Sequence, residues 1–221
     1  MNKQAYILFT RVPVPNKVKT RLQSRLTGTE ASQVQLRMLQ DSFEKFASLA
    51  DQGIDLFLAY SDEGSPDSLI QLMPKSFKAF PQKGQTIGER MKQALATVFS
   101  LGYQKVILTG SDIPNLTAEL IVSAFDQMSE VVLGPSPDGG YYLVGATEKV
   151  NVAPIFDAPI TWGKSEVLTE TLKLLSKYQV ALLEPLEDMD HPADLQAIQS
   201  QLNQENAYFG DWLKENRGLF Q

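Results

Sequence analysis

The chain has 221 residues, with 20 Lys and Arg, 26 Asp and Glu, one His and no Cys. Hydrophobic residues make up 43% and charged residues 21%, which are ordinary globular proportions and exclude intrinsic disorder. The lack of Cys excludes a disulfide scaffold and thiol catalysis, and the single His excludes a multi-His metal centre. No apolar run approaches the roughly 20 residues that cross a bilayer. We therefore expect one cytoplasmic domain, residues 1–221, with no membrane partner.

The basic side chains are concentrated near the start of the chain. Residues 1–29 carry six basic and no acidic side chains, whereas the other residues carry 14 basic and 26 acidic ones. A nucleic-acid-binding protein would spread Lys and Arg over a face. One concentrated basic segment in an acidic chain instead favours binding of a small polyanion.

Short apolar runs alternate with helical patterns along the chain. The runs typical of buried strands are residues 5–9, 54–60, 105–109, 131–134, 141–145 and 180–183. Helical spacing of apolar residues occurs over 36–50, 87–98, 120–128 and 206–219. Thr27 with Glu30, and Thr86 with Glu89, have the spacing of capping boxes. The alternation predicts an α/β fold with a mainly parallel central sheet and helices on both faces, interrupted by a hairpin near residues 134–140.

Ligands of open α/β sheets bind beyond the carboxyl ends of the strands, so the segments that follow strands are the candidates for a site. After the first strand, Pro13 and Pro15 favour an extended path. Lys17, Lys19 and Arg21 then alternate, which would place their charged groups on one side as a phosphate clamp. The alternative interpretation is a solvated basic loop. Neither a Walker loop nor a Rossmann fingerprint occurs in the sequence.

Two later segments offer carboxylates for a cation. Asp112 follows the strand at 105–109, where it can present oxygen to Mg²⁺ or Mn²⁺ or can serve only as a turn residue. Asp188 and Asp190 follow the last strand, and one of them can complete a metal site with Asp112. We assign this second ligand to Asp190.

A glycine-rich turn and a tryptophan provide candidates for contacts to an acceptor or sugar. The turn permits close approach of backbone to a ligand, but it also fits a plain hairpin. Trp162 can stack on a sugar or fill the core. The residues assigned to this role are Asp138, Gly139, Gly140, Tyr141 and Trp162.

The sequence resembles the bacterial DUF2064 family. The resemblance runs from about residue 5 to 198 and rests on six ordered blocks: FTRVPVPNKVKTRL, GQTIGERM, VILTGSDIPNL, LGPSPDGGYYLVG, ITWGKSEVL and LEDMDHPADL. Members of this family are glycosyltransferase-like proteins of the nucleotide-diphospho-sugar transferase (GT-A) superfamily, also described as radical-SAM/selenodomain-associated transferases. The resemblance implies a GT-A fold with a nucleotide site at the carboxyl edge of its sheet. The nucleotide-binding residues so assigned are Thr10, Arg11, Lys17, Lys19, Arg21, Gly88, Arg90 and Ser111.

The resemblance leaves three functions open. The first is Mg²⁺- or Mn²⁺-dependent glycosyl transfer from a nucleotide sugar to a small-molecule acceptor, with Asp112, Lys19 and Arg21 as the catalytic residues. The second is nucleotidyl transfer from a nucleoside triphosphate, because the segment containing KTRL is similar to that of 2-phospholactate guanylyltransferases. The third is a nucleotide-binding module without chemistry. A homo-oligomer is compatible with each of them.

Overall fold

The computed structural model describes residues 3–219, which contain a seven-stranded sheet. Its strands are β1 (Gln4–Thr10), β2 (Ile54–Tyr60), β3 (Phe77–Pro81), β4 (Lys105–Gly110), β5 (Val131–Pro135), β6 (Tyr141–Thr147) and β7 (Val180–Leu182). They are ordered β3-β2-β1-β4-β6-β5-β7, and only β6 runs antiparallel to its neighbours among these seven. The predicted α/β fold, the mainly parallel sheet and the β5–β6 hairpin are thus confirmed. The predicted domain also includes residues 1–2 and 220–221, which lie outside the described residues.

Eight α-helices occur within residues 3–219. They are α1 (Gly28–Ala47), α2 (Asp67–Leu72), α3 (Ile87–Phe99), α4 (Ala118–Gln127), α5 (Ala153–Asp157), α6 (Val167–Leu174), α7 (Pro192–Ile198) and α8 (Ala207–Glu215). Apolar spacing predicted α1, α3, α4 and α8, whereas the other four have eight residues or fewer and are too short to show a clear period. No helix in this described part of the chain is long and apolar enough to cross a membrane.

The sheet is covered on both faces, which explains its apolar strands. In β1, Tyr6 and Leu8 belong to the apolar cluster that includes Phe43 and Phe46 of α1. Ile7 belongs to the opposite cluster, which includes residues of α3. Successive side chains of a strand point to opposite faces, so a strand with both faces covered has no polar positions left.

Strand β3 was missed by the sequence analysis. It lies at the edge of the sheet, pairs only with β2 and has Phe77 as its one buried residue. An edge strand needs no continuous apolar run, and the Pro81 at its end is tolerated there because its missing N–H is not needed for a second neighbour.

The two predicted capping boxes differ in the structure. The Thr27 hydroxyl accepts the Glu30 N–H, and the Glu30 carboxylate accepts the Thr27 N–H, so the box that starts α1 is complete. Thr86 accepts the N–H of Glu89, but the Glu89 carboxylate accepts the N–H of Gln85 instead. The side chains of Thr86 and Glu89 therefore still satisfy two N–H groups at the start of α3, but the second is the N–H of Gln85 and not that of Thr86.

Helix α8 packs back onto α1; the apolar pattern predicted the helix but not which surface it would contact. Buried Asp41 of α1 accepts the N–H groups of Tyr208 and Phe209 at 2.9 and 3.0 Å, which satisfies the start of α8. Just before it, the Asn206 amide donates to the carbonyl of Pro114 at 2.8 Å. The carboxyl-terminal helix is thus tied both to α1 and to the segment that follows β4.

The carboxylate of Asp41 should make stability depend on pH. Burial raises its pKa from 3.8 to about 6, against the lowering effect of the N–H groups of Phe209 and Tyr208. The folded state therefore binds this proton more tightly than the unfolded state, so the contribution of Asp41 to stability falls as pH rises from about 4 to 6 and is constant above that range.

We expect Asp41→Asn, which keeps an acceptor oxygen, to remove this decline. Urea denaturation at pH 4, 5, 6 and 7 would measure it as a free energy of unfolding that falls more steeply with pH in the wild type than in the variant. Asp211→Asn, which changes an exposed carboxylate of α8, is the control. Parallel pH profiles of wild type and Asp41→Asn would contradict this account.

Candidate active site

A cleft of about 720 Å³ lies at the carboxyl ends of β1 and β4 and at the start of the reversed strand β6. This volume lies within the usual range for small-molecule sites. The predicted site residues that line it are Thr10, Arg11, Lys19, Arg21, Arg90, Ser111, Asp112, Tyr141 and Asp190. The sheet edge therefore brings together residues that are up to 180 positions apart in the chain, in agreement with the rule for open α/β sheets.

An ionic cluster occupies one end of the cleft. The Lys19 ammonium lies 3.0 Å from Asp112 Oδ2 and 3.4 Å from Asp190 Oδ1, and it donates to the Met189 carbonyl at 2.5 Å. Arg21 Nη1 donates to Asp190 Oδ2 at 2.6 Å. The side chain of Lys19 is 2% exposed and that of Arg21 is 57% exposed, so of these two cations it is the guanidinium that is open to solvent.

The basic segment reaches the cleft by a different path from the one expected. An extended strand with alternating heads is wrong for residues 17–21, because the chain turns after Pro15 and Lys19 has left-handed backbone angles (φ 47°, ψ 41°). A 3₁₀ helix, Thr20–Ser24, then carries Arg21 while Leu22 is buried. The turn buries Lys19 and leaves Lys17 exposed, away from the cleft lining.

Asn16, the other non-glycine residue with a positive φ (65°) in residues 3–219, fixes this turn against α1. A side chain at Gly28, the first residue of α1, would lie 2.0 Å from Asn16 Oδ1 and 2.8 Å from its backbone nitrogen. Asn tolerates the left-handed region better than most residues. The glycine at the start of α1 thus allows the close approach that sets the position of the basic segment.

The floor of the cleft is a buried hydrogen-bond network that the sequence analysis missed. The Gln35 amide of α1 donates to Ser111 Oγ at 2.9 Å and to Thr10 Oγ1 at 3.3 Å. Thr10 Oγ1 also donates to Ser111 Oγ at 2.9 Å, and Ser111 Oγ contacts Asp112 Oδ1 at 3.3 Å. The only sequence signal was an amide on the buried side of a helix, which does not reveal its partners.

Asp188 adds a further acidic group to the cluster. Burial raises its pKa to about 6; the Ser136 hydroxyl, which donates to it at 3.1 Å, lowers the pKa, and the charges of Asp138, Asp112 and Asp190 raise it. Among residues 3–219, His, Asp and Glu side chains form no group of three that could hold a metal ion by themselves. A metal here would rest on Asp112 and Asp190 with water and ligand oxygens completing its shell, which is the usual coordination of Mg²⁺.

Two further arginines line the cleft, each paired with an acid that follows β2. Arg11 Nε and Nη2 donate to the Glu63 carboxylate at 3.0 and 2.5 Å. Arg90 of α3 lies 3.2 Å from Asp62 Oδ1 and donates through Nε to the Gly84 carbonyl at 3.0 Å. The guanidinium groups are therefore held in place with N–H groups left over for a ligand.

Several residues assigned from the sequence have packing partners and do not line the cleft. A side chain at Gly139 (φ 89°) would lie 2.1 Å from the Ser165 carbonyl oxygen, and one at Gly88 would lie 2.8 Å from the Trp162 indole nitrogen. Trp162 stacks on Phe156 with the ring centroids 6.1 Å apart. The assigned residues that are absent from the lining are Lys17, Gly88, Asp138, Gly139, Gly140 and Trp162.

Comparison with known proteins identifies the class of the fold and then the family. A crystal structure from Desulfovibrio desulfuricans G20, named a "putative nucleotide-diphospho-sugar transferase", is 31% identical with a TM-score of 0.90 and covers 100% of this chain and 97% of its own. The fold is accordingly GT-A-like. A match to the model of DUF2064, "uncharacterized protein conserved in bacteria", spans residues 34–164, more than half of the chain, so the protein belongs to the DUF2064 family.

More distant structures share the fold alone. A cytidylyltransferase from Leptospira borgpetersenii is 12% identical with a TM-score of 0.58 and covers 100% of this chain and 98% of its own. CMP:2-keto-3-deoxy-manno-octonic acid synthetase, in complex with CTP, is 13% identical with a TM-score of 0.56 and covers 90% and 98%. No curated protein matches the chain.

The hydrogen-bond network under Asp112 gives a testable prediction. Gln35→Met keeps the volume but leaves the buried hydroxyls of Thr10 and Ser111 without their amide donor. We expect it to lower the free energy of unfolding by about 1–3 kcal/mol, the range for an unsatisfied buried polar group. Urea denaturation would measure this loss. Gln93→Met on the exposed face of α3 is the matched control and should change stability by less than about 0.5 kcal/mol; equal effects of the two substitutions would contradict the role of the network.

Proposed function

We propose that the protein is a nucleotide-dependent transferase, and more specifically a metal-dependent glycosyltransferase that uses a nucleotide-diphospho-sugar donor. The observation that supports it best is the convergence of Lys19, Arg21, Asp112 and Asp190 at one end of the cleft. A site that transfers a group from a diphosphate must neutralise the charge that develops on the leaving phosphates. The exposed guanidinium of Arg21 could contact those phosphates, and the carboxylates could hold a metal ion that supplies further positive charge.

Arg21 is the residue best placed to contact phosphate. One of its N–H groups is used by Asp190, its side chain is more than half exposed, and a guanidinium has five N–H donors. Arginine forms bidentate, charge-assisted hydrogen bonds to phosphate. The remaining donors of Arg21 would therefore bind the diphosphate oxygens of the donor.

The charges of the cluster are a reason for metal dependence. Lys19 and Arg21 are balanced by Asp112 and Asp190, so the cluster itself offers little net positive charge to a diphosphate. Asp112 and Asp190 are hard oxygen donors that face one point, where Mg²⁺ or Mn²⁺ can take two carboxylates with phosphate and water oxygens. When bound, such an ion would stabilise the negative charge of the leaving diphosphate.

Resemblance supports sugar transfer over other uses of a nucleotide. The structure from Desulfovibrio desulfuricans, similar over the whole chain, bears the name of a nucleotide-diphospho-sugar transferase. In this proposal the nucleotide extends toward Arg11 and Arg90, and the acceptor binds on the side of Tyr141. Asp138–Gly140 and Trp162 would act there by shaping the wall, since Trp162 packs edge-on against Tyr141 with ring centroids 6.2 Å apart.

A second candidate is nucleotidyl transfer to a phosphorylated small acceptor. The observation that favours it is the presence of four cationic side chains along one cleft: Arg11, Lys19, Arg21 and Arg90. A triphosphate carries more negative charge than a diphosphate and would use more of them. The similarity of the basic segment to 2-phospholactate guanylyltransferases points the same way.

Product analysis separates the candidates. The protein would be incubated with panels of labelled nucleotide sugars and nucleoside triphosphates, each with Mg²⁺ or Mn²⁺ and candidate acceptors. Glycosyl transfer releases a nucleoside diphosphate, and nucleotidyl transfer releases pyrophosphate. Pyrophosphate without nucleoside diphosphate would overturn the glycosyltransferase proposal, and tight nucleotide binding without either product would favour a binding module.

Arg21→Ala should weaken binding of the nucleotide that the panel identifies. Loss of a charge-assisted hydrogen bond to phosphate corresponds to about 1.5–3 kcal/mol, or roughly a 10- to 150-fold higher Kd. Isothermal titration calorimetry would measure it. Arg25→Ala is the matched control, because Arg25 is exposed on the same segment and does not line the cleft. Equal affinity in both variants would remove Arg21 from the binding site.

A further inference from the structure

The ammonium of Lys19 is surrounded by oxygen atoms. Its three partners are Met189 O at 2.5 Å, Asp112 Oδ2 at 3.0 Å and Asp190 Oδ1 at 3.4 Å. Two of these contacts are hydrogen bonds, to Met189 O and Asp190 Oδ1, and the contact with Asp112 is an ion pair. With its side chain 2% exposed, Lys19 is enclosed by these oxygens and not open to a phosphate in this conformation.

Two carboxylates and a backbone carbonyl are also oxygen ligands of the kind that a hard divalent cation prefers. The ammonium lies at the point on which these oxygens converge, so a metal ion bound to Asp112 and Asp190 and the Nζ atom of Lys19 would compete for the same space. Two cations brought this close also repel each other strongly in a partly buried site. Occupation by one therefore excludes the other.

The backbone of Lys19 shows that this placement is imposed by the surroundings. Its left-handed angles cost a residue with a Cβ atom about 1–2 kcal/mol. Such a conformation persists only where the surrounding contacts determine it. Here the Lys19 carbonyl accepts the Leu22 N–H at 3.0 Å, Val18 and Leu22 are buried beside it, and the ammonium has its three oxygen contacts. The ammonium contacts are the part of this set that another cation would replace.

We propose that Lys19 is an internal competitor for the metal: its ammonium fills the oxygen pocket of Asp112, Asp190 and Met189, and a divalent cation enters only as the ammonium leaves. This inference rests on the metal role that the proposed function gives to Asp112 and Asp190. In the free protein the ammonium keeps the two carboxylates together and excludes metal.

The test measures binding of Mn²⁺ alone, without any nucleotide, to the full chain. The electron paramagnetic resonance signal of free Mn²⁺ would be titrated with wild type, Lys19→Met and Lys19→Gln, both of which keep a long side chain without the charge. We expect each folded variant to bind Mn²⁺ at least about tenfold more tightly than the wild type, and Mn²⁺ to raise the melting temperature of the variants more than that of the wild type.

Two controls locate the effect. Lys75→Met removes one positive charge from an exposed residue that precedes the edge strand β3 and does not line the cleft. This variant should bind Mn²⁺ as the wild type does. Adding Asp190→Asn to Lys19→Met should abolish the gain. If neither Lys19→Met nor Lys19→Gln binds Mn²⁺ more tightly than the wild type, the competition does not exist. This result is independent of the product analysis, so failure of the transferase proposal and failure of this one are distinguishable.

Discussion

The contact of the Lys19 ammonium with Asp112 and Asp190 joins three parts of the chain at one end of the cleft. Lys19 follows β1, Asp112 follows β4, and Asp190 lies between β7 and α7. The Met189 N–H, which donates to the Asp112 carbonyl at 2.9 Å, is a second tie between the last two. Separating the buried Lys19 ammonium from these carboxylates would leave an uncompensated charge. The contact therefore holds Lys19, Asp112 and Asp190 together at one end of the cleft.

Helix α1 links this cleft to the carboxyl-terminal part of the molecule. Gln35 holds the floor beneath Asp112, and Asp41, not quite two turns further along, holds the start of α8. Lys45, one turn further still, donates to the carbonyls of Pro114 and Leu116 at 2.9 Å each. A single helix thus supports the segment after β4 from below and ties α8 to the same frame.

Local patterns were enough to predict six of the seven described strands, but not the side-chain contacts at the carboxyl edge of the sheet. The apolar run of β1 reports burial on both faces, and Asp112 was found because it directly follows such a run. Strand β3 gave no signal because Phe77 is the one buried residue among its five. The burial of Lys19 and the role of Gln35 depend on side chains about 75 to 170 positions away, and no local pattern encodes such partners. The sequence does not distinguish a solvated lysine from a buried one.

The reversed direction of β6 has a consequence for the ligand edge of the sheet. Since β6 starts where β5 ends, a hairpin turn stands at the ligand edge of the sheet, whereas the connections of parallel strands there must lead into crossovers. The turn is tied to Asp188 by the Ser136 hydroxyl at 3.1 Å and to α6 by the Leu168 N–H, which donates to the Gly139 carbonyl at 2.8 Å. A change in the backbone of this turn would therefore be transmitted both to the acidic side of the cleft and to α6.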